Sequence, residues 1–126
     1  MAAESELRID VVFDDSTMVQ AVLDRVHAPS IVEELKSRLP IEGKAALLRG
    51  EMRVTVGINK GNIKATRQVK RGQVAYMPLG DCLCIYLDEM TTFSPVNVIG
   101  RIISADSVLE GLRTVRRGAR AVLRQG

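Results

Sequence analysis

Two cysteines, two positions apart, are the most reactive side chains in this sequence. Cys82 and Cys84 are the only cysteines among 126 residues, and His27 is the only histidine. A thiol becomes an effective nucleophile when a neighbouring base or cation lowers its pKa. His27 lies in a distant segment, so no spacing in the sequence supplies that base. We therefore expect buried thiols and keep a cysteine-dependent or other small-molecule enzyme as a weaker alternative.

The sequence gives little support for a metal site or a cofactor site. Two thiols and one histidine are too few for a four-ligand zinc site, and the usual ligand spacing is missing. A disulfide between cysteines this close would be strained, because a strand points both side chains to one face. The glycines of residues 57–61 do not open a predicted helix, so they form no phosphate loop. We predict no metal and no cofactor.

Proline isomerisation would need an apolar pocket beside a cation or a hydrogen-bond donor near the twisting amide. Neither Phe13 nor Phe93 adjoins an arginine in the sequence, and His27 is flanked by Val26 and Ala28. A divergent peptidyl-prolyl cis-trans isomerase is therefore an alternative function without its usual signature.

Charge is distributed unevenly along the chain. Residues 1–100 carry a net charge of −1, whereas residues 101–126 hold six arginines against Asp106 and Glu110, a net of +4. A basic end of this kind can bind nucleic acid. However, the basic residues 64–71 include no aromatic side chain on which a base could stack. Nucleic acid is therefore not a predicted partner, and a solvated helix face explains most of these arginines.

The chain also lacks the features of a membrane or exported protein. No apolar run approaches the roughly 18 to 20 residues that a membrane-spanning helix requires. The opening residues, MAAESE, lack the basic and then apolar character of a signal peptide. We predict no membrane partner and a cytoplasmic location, where thiols stay reduced.

The positioning elements are mostly strands. Residues 7–13 and 18–23 alternate apolar and polar side chains and predict a hairpin. Further strands are expected at 45–48, 51–58, 73–77, 82–87, 95–103 and 119–125. Residues 41–44 are expected to form a connector and residues 88–94 a polar loop. This count of about eight short strands predicts a small closed barrel forming one domain, residues 1–126 with a core over about 7–123.

Two short helices complete the predicted fold. Ile31, Val32, Leu35 and Leu39 lie on one helical face. Ser30 and Glu33 suit a capping box at the start of this helix, and Pro40 ends it by disfavouring helical geometry at the residue before it. Ser107 and Glu110 suggest a second capping box before the apolar stripe Val108, Leu109, Leu112 and Val115.

Three stretches together resemble a known family. They are residues 39–45 (LPIEGKA), 72–86 (GQVAYMPLGDCLCIY) and 94–102 (SPVNVIGRI). In this order and spacing they resemble the small prokaryotic cyclophilin-like family of archaea and bacteria, over nearly the whole chain. The resemblance implies a closed eight-stranded β-barrel with two helices, like that of cyclophilins. It implies no particular activity, because that family is largely uncharacterised and fold does not determine function.

The sequence departs from that family at two tryptophans. Members typically have Trp-Gly-Asp-Glu where this chain has residues 48–51 (LRGE), and Tyr-Trp-Pro-Pro-Gly where it has residues 76–80 (YMPLG). Because tryptophan rings often line ligand pockets, the departures imply an altered or closed pocket.

The function we predict is binding of a small molecule or an extended peptide in a surface groove or barrel-mouth pocket. Polar side chains near strand ends or bends could orient such a ligand. The candidate ligand-binding residues are Glu51, Tyr76, Cys84, Asn97 and Arg101. A homodimer stays open as a further partner, with no residue pattern that specifies it.

Overall fold

The computed structural model describes residues 6–126, which form nine strands, two α-helices and one 3₁₀ helix. The strands are β1 (Glu6–Phe13), β2 (Thr17–Asp24), β3 (Ile41–Leu48), β4 (Glu51–Thr55), β5 (Thr66–Val69), β6 (Gln73–Met77), β7 (Cys82–Tyr86), β8 (Met90–Ile102) and β9 (Arg120–Gln125). The helices are α1 (Pro29–Arg38) and α2 (Asp106–Glu110), and α2 continues into the 3₁₀ helix Gly111–Thr114.

Eight of the strands form a closed antiparallel ring. Their order is β2-β1-β9-β3-β4-β7-β6-β8, and β8 pairs back with β2. Closure satisfies the backbone groups that an open sheet would leave exposed at its edges. The predicted mostly-β fold with a ring of eight strands and two helices is confirmed. No helix within residues 6–126 has the length and apolar character needed to cross a membrane.

Alternation along the ring strands produces two separate apolar clusters. On β7, Leu83 and Ile85 point into the ring and join the main core, onto which α1 also packs. Cys82, Cys84 and Tyr86 point outward into a second cluster. All five β7 residues are therefore buried, as the sequence predicted for a central strand that is apolar on both faces.

The second cluster is covered by a two-stranded ribbon, formed by β5 and the first half of β8. Strand β8 has 13 residues, so its second half can pair with β6 and β2 while its first half pairs with β5. The ribbon is irregular. Gln68 faces Thr91 and Thr66 faces Val96, so Arg67 alone lies opposite four β8 residues. Such a bulge redirects the side chains around it.

Three boundary predictions on the strands were wrong. Residues 41–44 are part of β3, where they pair with β9, instead of forming a connector. Residues 90–94 belong to β8, and Thr92 and Ser94 are buried there although they are polar. Strand β4 ends at Thr55, short of the predicted Ile58.

Both predicted capping boxes were wrong as well. Helix α1 begins at Pro29 with Ala28 as its N-cap, and α2 begins at Asp106 with Ala105 as its N-cap. Neither cap residue has a side-chain oxygen, and no side-chain cap hydrogen bond forms. Pro29 suits the first helical position, which needs no N–H donor, so the helix starts there. The predicted end of α1 is confirmed, because Leu39 has extended geometry.

Ring closure leaves no room for a side chain at Gly100. A Cβ atom there would lie 2.1 Å from the Val22 carbonyl oxygen of the paired strand β2. We expect Gly100→Ala to lower the free energy of unfolding by about 1–3 kcal/mol or more, because backbone must move. The matched control is Gly111→Ala, where a Cβ would meet no atom within 4 Å.

Urea denaturation monitored by circular dichroism measures both effects. The control should be neutral or stabilising by up to about 1 kcal/mol, since alanine restricts the unfolded chain. Equal stability of the two variants would contradict the role assigned to the β2–β8 contact.

Candidate functional site

A groove of about 510 Å³ lies on the outer face of the ring, between β4 and the ribbon. Four further cavities around the described residues measure between about 160 and 220 Å³. The groove is lined by Leu48, Arg49, Glu51, Arg53, Arg67, Met90, Thr91, Thr92 and Phe93. It thus includes the segment in which the family's tryptophan is missing. Three arginines line the cavity there.

An ion pair between a buried carboxylate and a half-buried arginine forms the floor of the groove. Glu51 is only 4% exposed, and its carboxylate accepts a hydrogen bond from Arg53 Nε. The two residues are separated by one position on β4, so both side chains leave the outer face of the strand. Burial of a carboxylate is costly unless a cation or donors compensate for it. Arg53 supplies that compensation.

A polar layer continues beneath the ion pair on the neighbouring strand. In the β4–β7 register, Glu51 faces Tyr86 and Arg53 faces Cys84. The Tyr86 hydroxyl is buried and has no hydrogen-bond partner within residues 6–126. Burial raises the pKa of Tyr86, and the nearby Cys84 and Glu51 raise it further. The tyrosine therefore stays neutral and remains a potential donor next to Glu51.

Burial also determines the state of both thiols. Cys84 is fully buried, and burial followed by the charge of Glu51 raises its pKa well above the usual range. Burial likewise raises the pKa of Cys82, whose Sγ donates to the Gly80 carbonyl at 3.0 Å. Both cysteines are free thiols. For both thiols, burial outweighs the groups that would lower the pKa, so neither cysteine has the properties of a nucleophile.

Two arginines extend from opposite walls of the groove. Arg49 occupies the two-residue turn between β3 and β4, where its φ of 51° and the φ of 79° at Gly50 give a left-handed hairpin turn. Arg67 lies on β5, and its Nε donates to the Thr92 carbonyl at 2.9 Å. That hydrogen bond fixes the guanidinium against the bulge in β8. Neither arginine forms an ion pair with any residue from Glu6 to Gly126.

An aromatic ring lies at the rim of the groove. Phe93 is 86% exposed, in the bulge between the buried residues Thr92 and Ser94. The Thr92 hydroxyl donates to the Ser94 carbonyl at 2.7 Å and helps to set the shape of the bulge. A large, isolated, exposed ring is available to cover an apolar ligand group.

Tyr76 and Asn97, which were predicted to contact ligand, instead hold a loop. The Tyr76 hydroxyl donates to Asp81 Oδ1 at 2.6 Å and accepts from the Lys60 amide at 3.0 Å. Burial and the bond to Asp81 raise the pKa of Tyr76 to about 12. Asn97 Oδ1 accepts from the Ile63 and Lys64 amides at 2.8 and 3.1 Å. The Tyr76 hydroxyl and Asn97 Oδ1 therefore bind backbone amides of loop residues 60–64 and are occupied by the protein itself.

Arg101 lies apart from the groove, near the β2–β8 pairing. Its side chain is 58% exposed and forms an ion pair with Glu6 at 3.5 Å. It lines a cavity of about 190 Å³ together with His27, Asp24 and Gln73.

Of the five predicted site residues, the structure places only Glu51 and Cys84 at the groove, with Cys84 beneath the floor, and it pairs Tyr76 with Asn97 elsewhere. Sequence reasoning missed Arg49, Arg53, Arg67 and Phe93. The Arg49-Gly50 pair was seen only as a break between strands, although its hairpin-turn chemistry would have placed Arg49 beside Glu51. In the described part of the chain, no cluster of three or more potential ligand side chains could hold a metal ion.

The fold of this chain is similar to those of solved structures. The solution structure of the hypothetical protein AF2241 from Archaeoglobus fulgidus matches 97% of this chain and 96% of its own, with 26% identity and a TM-score of 0.78. The structure of McbB in complex with tryptophan matches 93% of this chain with a TM-score of 0.73. Its identity is 15%, which shows the fold alone, and the match spans 44% of McbB.

Sequence comparison gives the family. No curated protein sequence matches the chain. The model of the cyclophilin-like family matches residues 7–124, nearly the whole length. This match agrees with the resemblance in the SPVNVIGRI segment and with the closed ring of eight strands. The chain belongs to the cyclophilin-like family.

Proposed function

We propose that this protein binds a small organic molecule in the groove between β4 and the ribbon. The observation that carries the proposal is the ion pair between the buried Glu51 and the half-buried Arg53 at the floor of a cavity of about 510 Å³. Ligand sites typically measure about 300–1,000 Å³ and combine apolar walls with a few fixed polar groups. Leu48, Met90 and Phe93 provide the apolar surface here.

The McbB complex supports a small molecule as the ligand class by fold analogy only. Its structure holds tryptophan, and this chain matches 44% of McbB. Three of the nine residues that line the groove in this chain are arginines. An extended peptide is the other ligand class that the sequence left open, and a binding screen distinguishes the two.

A groove-filling substitution tests the proposal. Compounds that bind in the groove should raise the melting temperature by several degrees, because a ligand at about 100 times its Kd adds about 2.7 kcal/mol of stability. Thr91 is exposed and lines the groove, so Thr91→Trp should abolish the shifts for the compounds that stabilise the wild type. The control Gln125→Trp places the same ring at an exposed position on β9, away from the groove.

A thermal-shift screen of metabolites and short peptides provides the measurement. Hits that stabilise Thr91→Trp as much as the wild type, or a screen in which nothing stabilises the wild type, would contradict a ligand site in the groove.

A divergent isomerase is the second candidate, because the fold brings Arg101 and His27 to one cavity. Val98 is the only apolar side chain in its lining, so the recess that a proline ring requires is missing. We therefore expect no turnover above the uncatalysed rate with a panel of proline peptides. Turnover that disappears in Arg101→Ala but persists in Glu51→Ala would instead establish isomerase activity at this cavity.

Cysteine-dependent catalysis is disfavoured by the buried thiols. We expect a thiol reagent such as 5,5′-dithiobis(2-nitrobenzoate) to react with Cys84 at pH 8 only as fast as the protein unfolds, because the raised pKa keeps it protonated. A Cys82→Ala variant isolates the reaction of Cys84. The same protein in urea, where the thiol is exposed, provides the control. Rapid stoichiometric modification of the folded variant would restore the nucleophile hypothesis.

A further inference from the structure

We propose that the ligand of the groove is an aromatic carboxylate, whose anionic group lies between Arg49 and Arg67 and whose ring packs against Phe93. This inference rests on the proposed function and specifies the chemistry of the ligand. It follows from the distribution of charge, from the conformation of Arg49 and from the exposure of Phe93.

Charge in the groove is unbalanced. Three arginines and one carboxylate line it, and Glu51 is already paired with Arg53. Arg49 and Arg67 therefore face the same space with no counter-charge from residues 6–126. Most of the arginines that the structure describes form ion pairs. They are Arg25, Arg38, Arg53, Arg71, Arg101, Arg113, Arg116, Arg120 and Arg124. Two unpaired guanidinium groups on opposite walls form a site for an anion.

The position of Arg49 is poor for stability. Its φ of 51° is a left-handed conformation that glycine and asparagine adopt more readily than arginine. Asparagine at this turn would relieve that strain. An arginine in a strained turn, with its side chain lining the groove, is accounted for by binding rather than by folding.

Arg67 and Phe93 are held by one bulge. The Arg67 Nε atom is engaged by the Thr92 carbonyl, and no further hydrogen bond of this side chain to the described residues occurs. Its terminal nitrogens therefore remain able to donate to a carboxylate. Phe93 follows Thr92 directly, so the residue with the exposed ring is the chain neighbour of the residue that holds the Arg67 guanidinium. A compact ligand with an acid group attached to a flat ring matches this arrangement.

The carboxylate is distinguished from its neutral and cationic counterparts by a matched set of probes. The probes are 2-naphthoate, 2-naphthamide, 2-naphthylmethylamine and inorganic phosphate, which separate the charge from the apolar body. We expect 2-naphthoate to bind at least about tenfold more tightly than the amide, since charged hydrogen bonds are the stronger ones. Its affinity should fall with added salt, whereas that of the amide should not. Calorimetry or chemical-shift titration measures each Kd.

Substitutions in the groove test which residues bind the carboxylate of the ligand and which bind its ring. Arg49→Asn and Arg67→Gln should each weaken 2-naphthoate by about tenfold and leave 2-naphthamide unchanged. Phe93→Ala should weaken both compounds. The control is Arg117→Gln, which removes an unpaired, exposed arginine outside the groove. Arg49→Asn should also raise the melting temperature. Substitution of an arginine with a merely structural role would not increase stability while weakening binding.

The outcomes separate this inference from the proposed function. If 2-naphthamide binds as tightly as 2-naphthoate and Thr91→Trp abolishes both, the groove binds ligands but the anionic class is wrong. If no probe binds while the metabolite screen yields compounds sensitive to Thr91→Trp, the aromatic-carboxylate class is again overturned. If 2-naphthoate binds equally to Thr91→Trp and to the wild type, the groove is not its site and the aromatic-carboxylate inference fails. The proposed function fails only if the compounds from the metabolite screen are also insensitive to Thr91→Trp.

Discussion

The close approach of β2 and β8 is the constraint on which the rest of the architecture depends. Only three residue pairs join these strands, and at Gly100 the partner backbone occupies the space of a side chain. Without this contact the ring would have two open edges and its apolar interior would meet water. The same strand then continues in the other direction as part of the ribbon. Closure of the ring and placement of the groove are therefore two consequences of one long strand.

The groove exists because the ribbon covers only part of the outer face. Over β6 and β7 the ribbon buries apolar side chains, but beside β4 it leaves a gap. Polar side chains therefore lie beside this gap, where a complete second core would exclude them. Glu51 and Arg53 are at the surface of the gap, and Tyr86 is beneath it. The location of these groups follows from strand register, because alternate positions of β4 and β7 face outward together.

Local sequence patterns predicted the strands well and the site poorly. Alternation and apolar runs depend on nearest neighbours, so the first hairpin and β7 were recognised. Thr92 and Ser94 are polar but buried, which made the first half of β8 resemble a loop. Arg49, Arg67 and Phe93 come from three distant segments that only the β3–β4 turn and the β5–β8 pairing bring together. Glu51 was identified as a candidate site residue. To identify its partner Arg53, one must know which face of β4 is buried in the core.

Strand β9 is the last strand in the sequence, yet in the ring it lies between β1 and β3. Residues separated by more than a hundred positions, such as Val11 and Leu123, are therefore direct neighbours. During synthesis on a ribosome, β1 and β3 emerge long before the strand that joins them. The ring consequently cannot be completed until β9 has been made, and such non-local pairing is typical of slowly folding β proteins. Until then the half-formed sheet leaves strand edges and apolar side chains exposed to water.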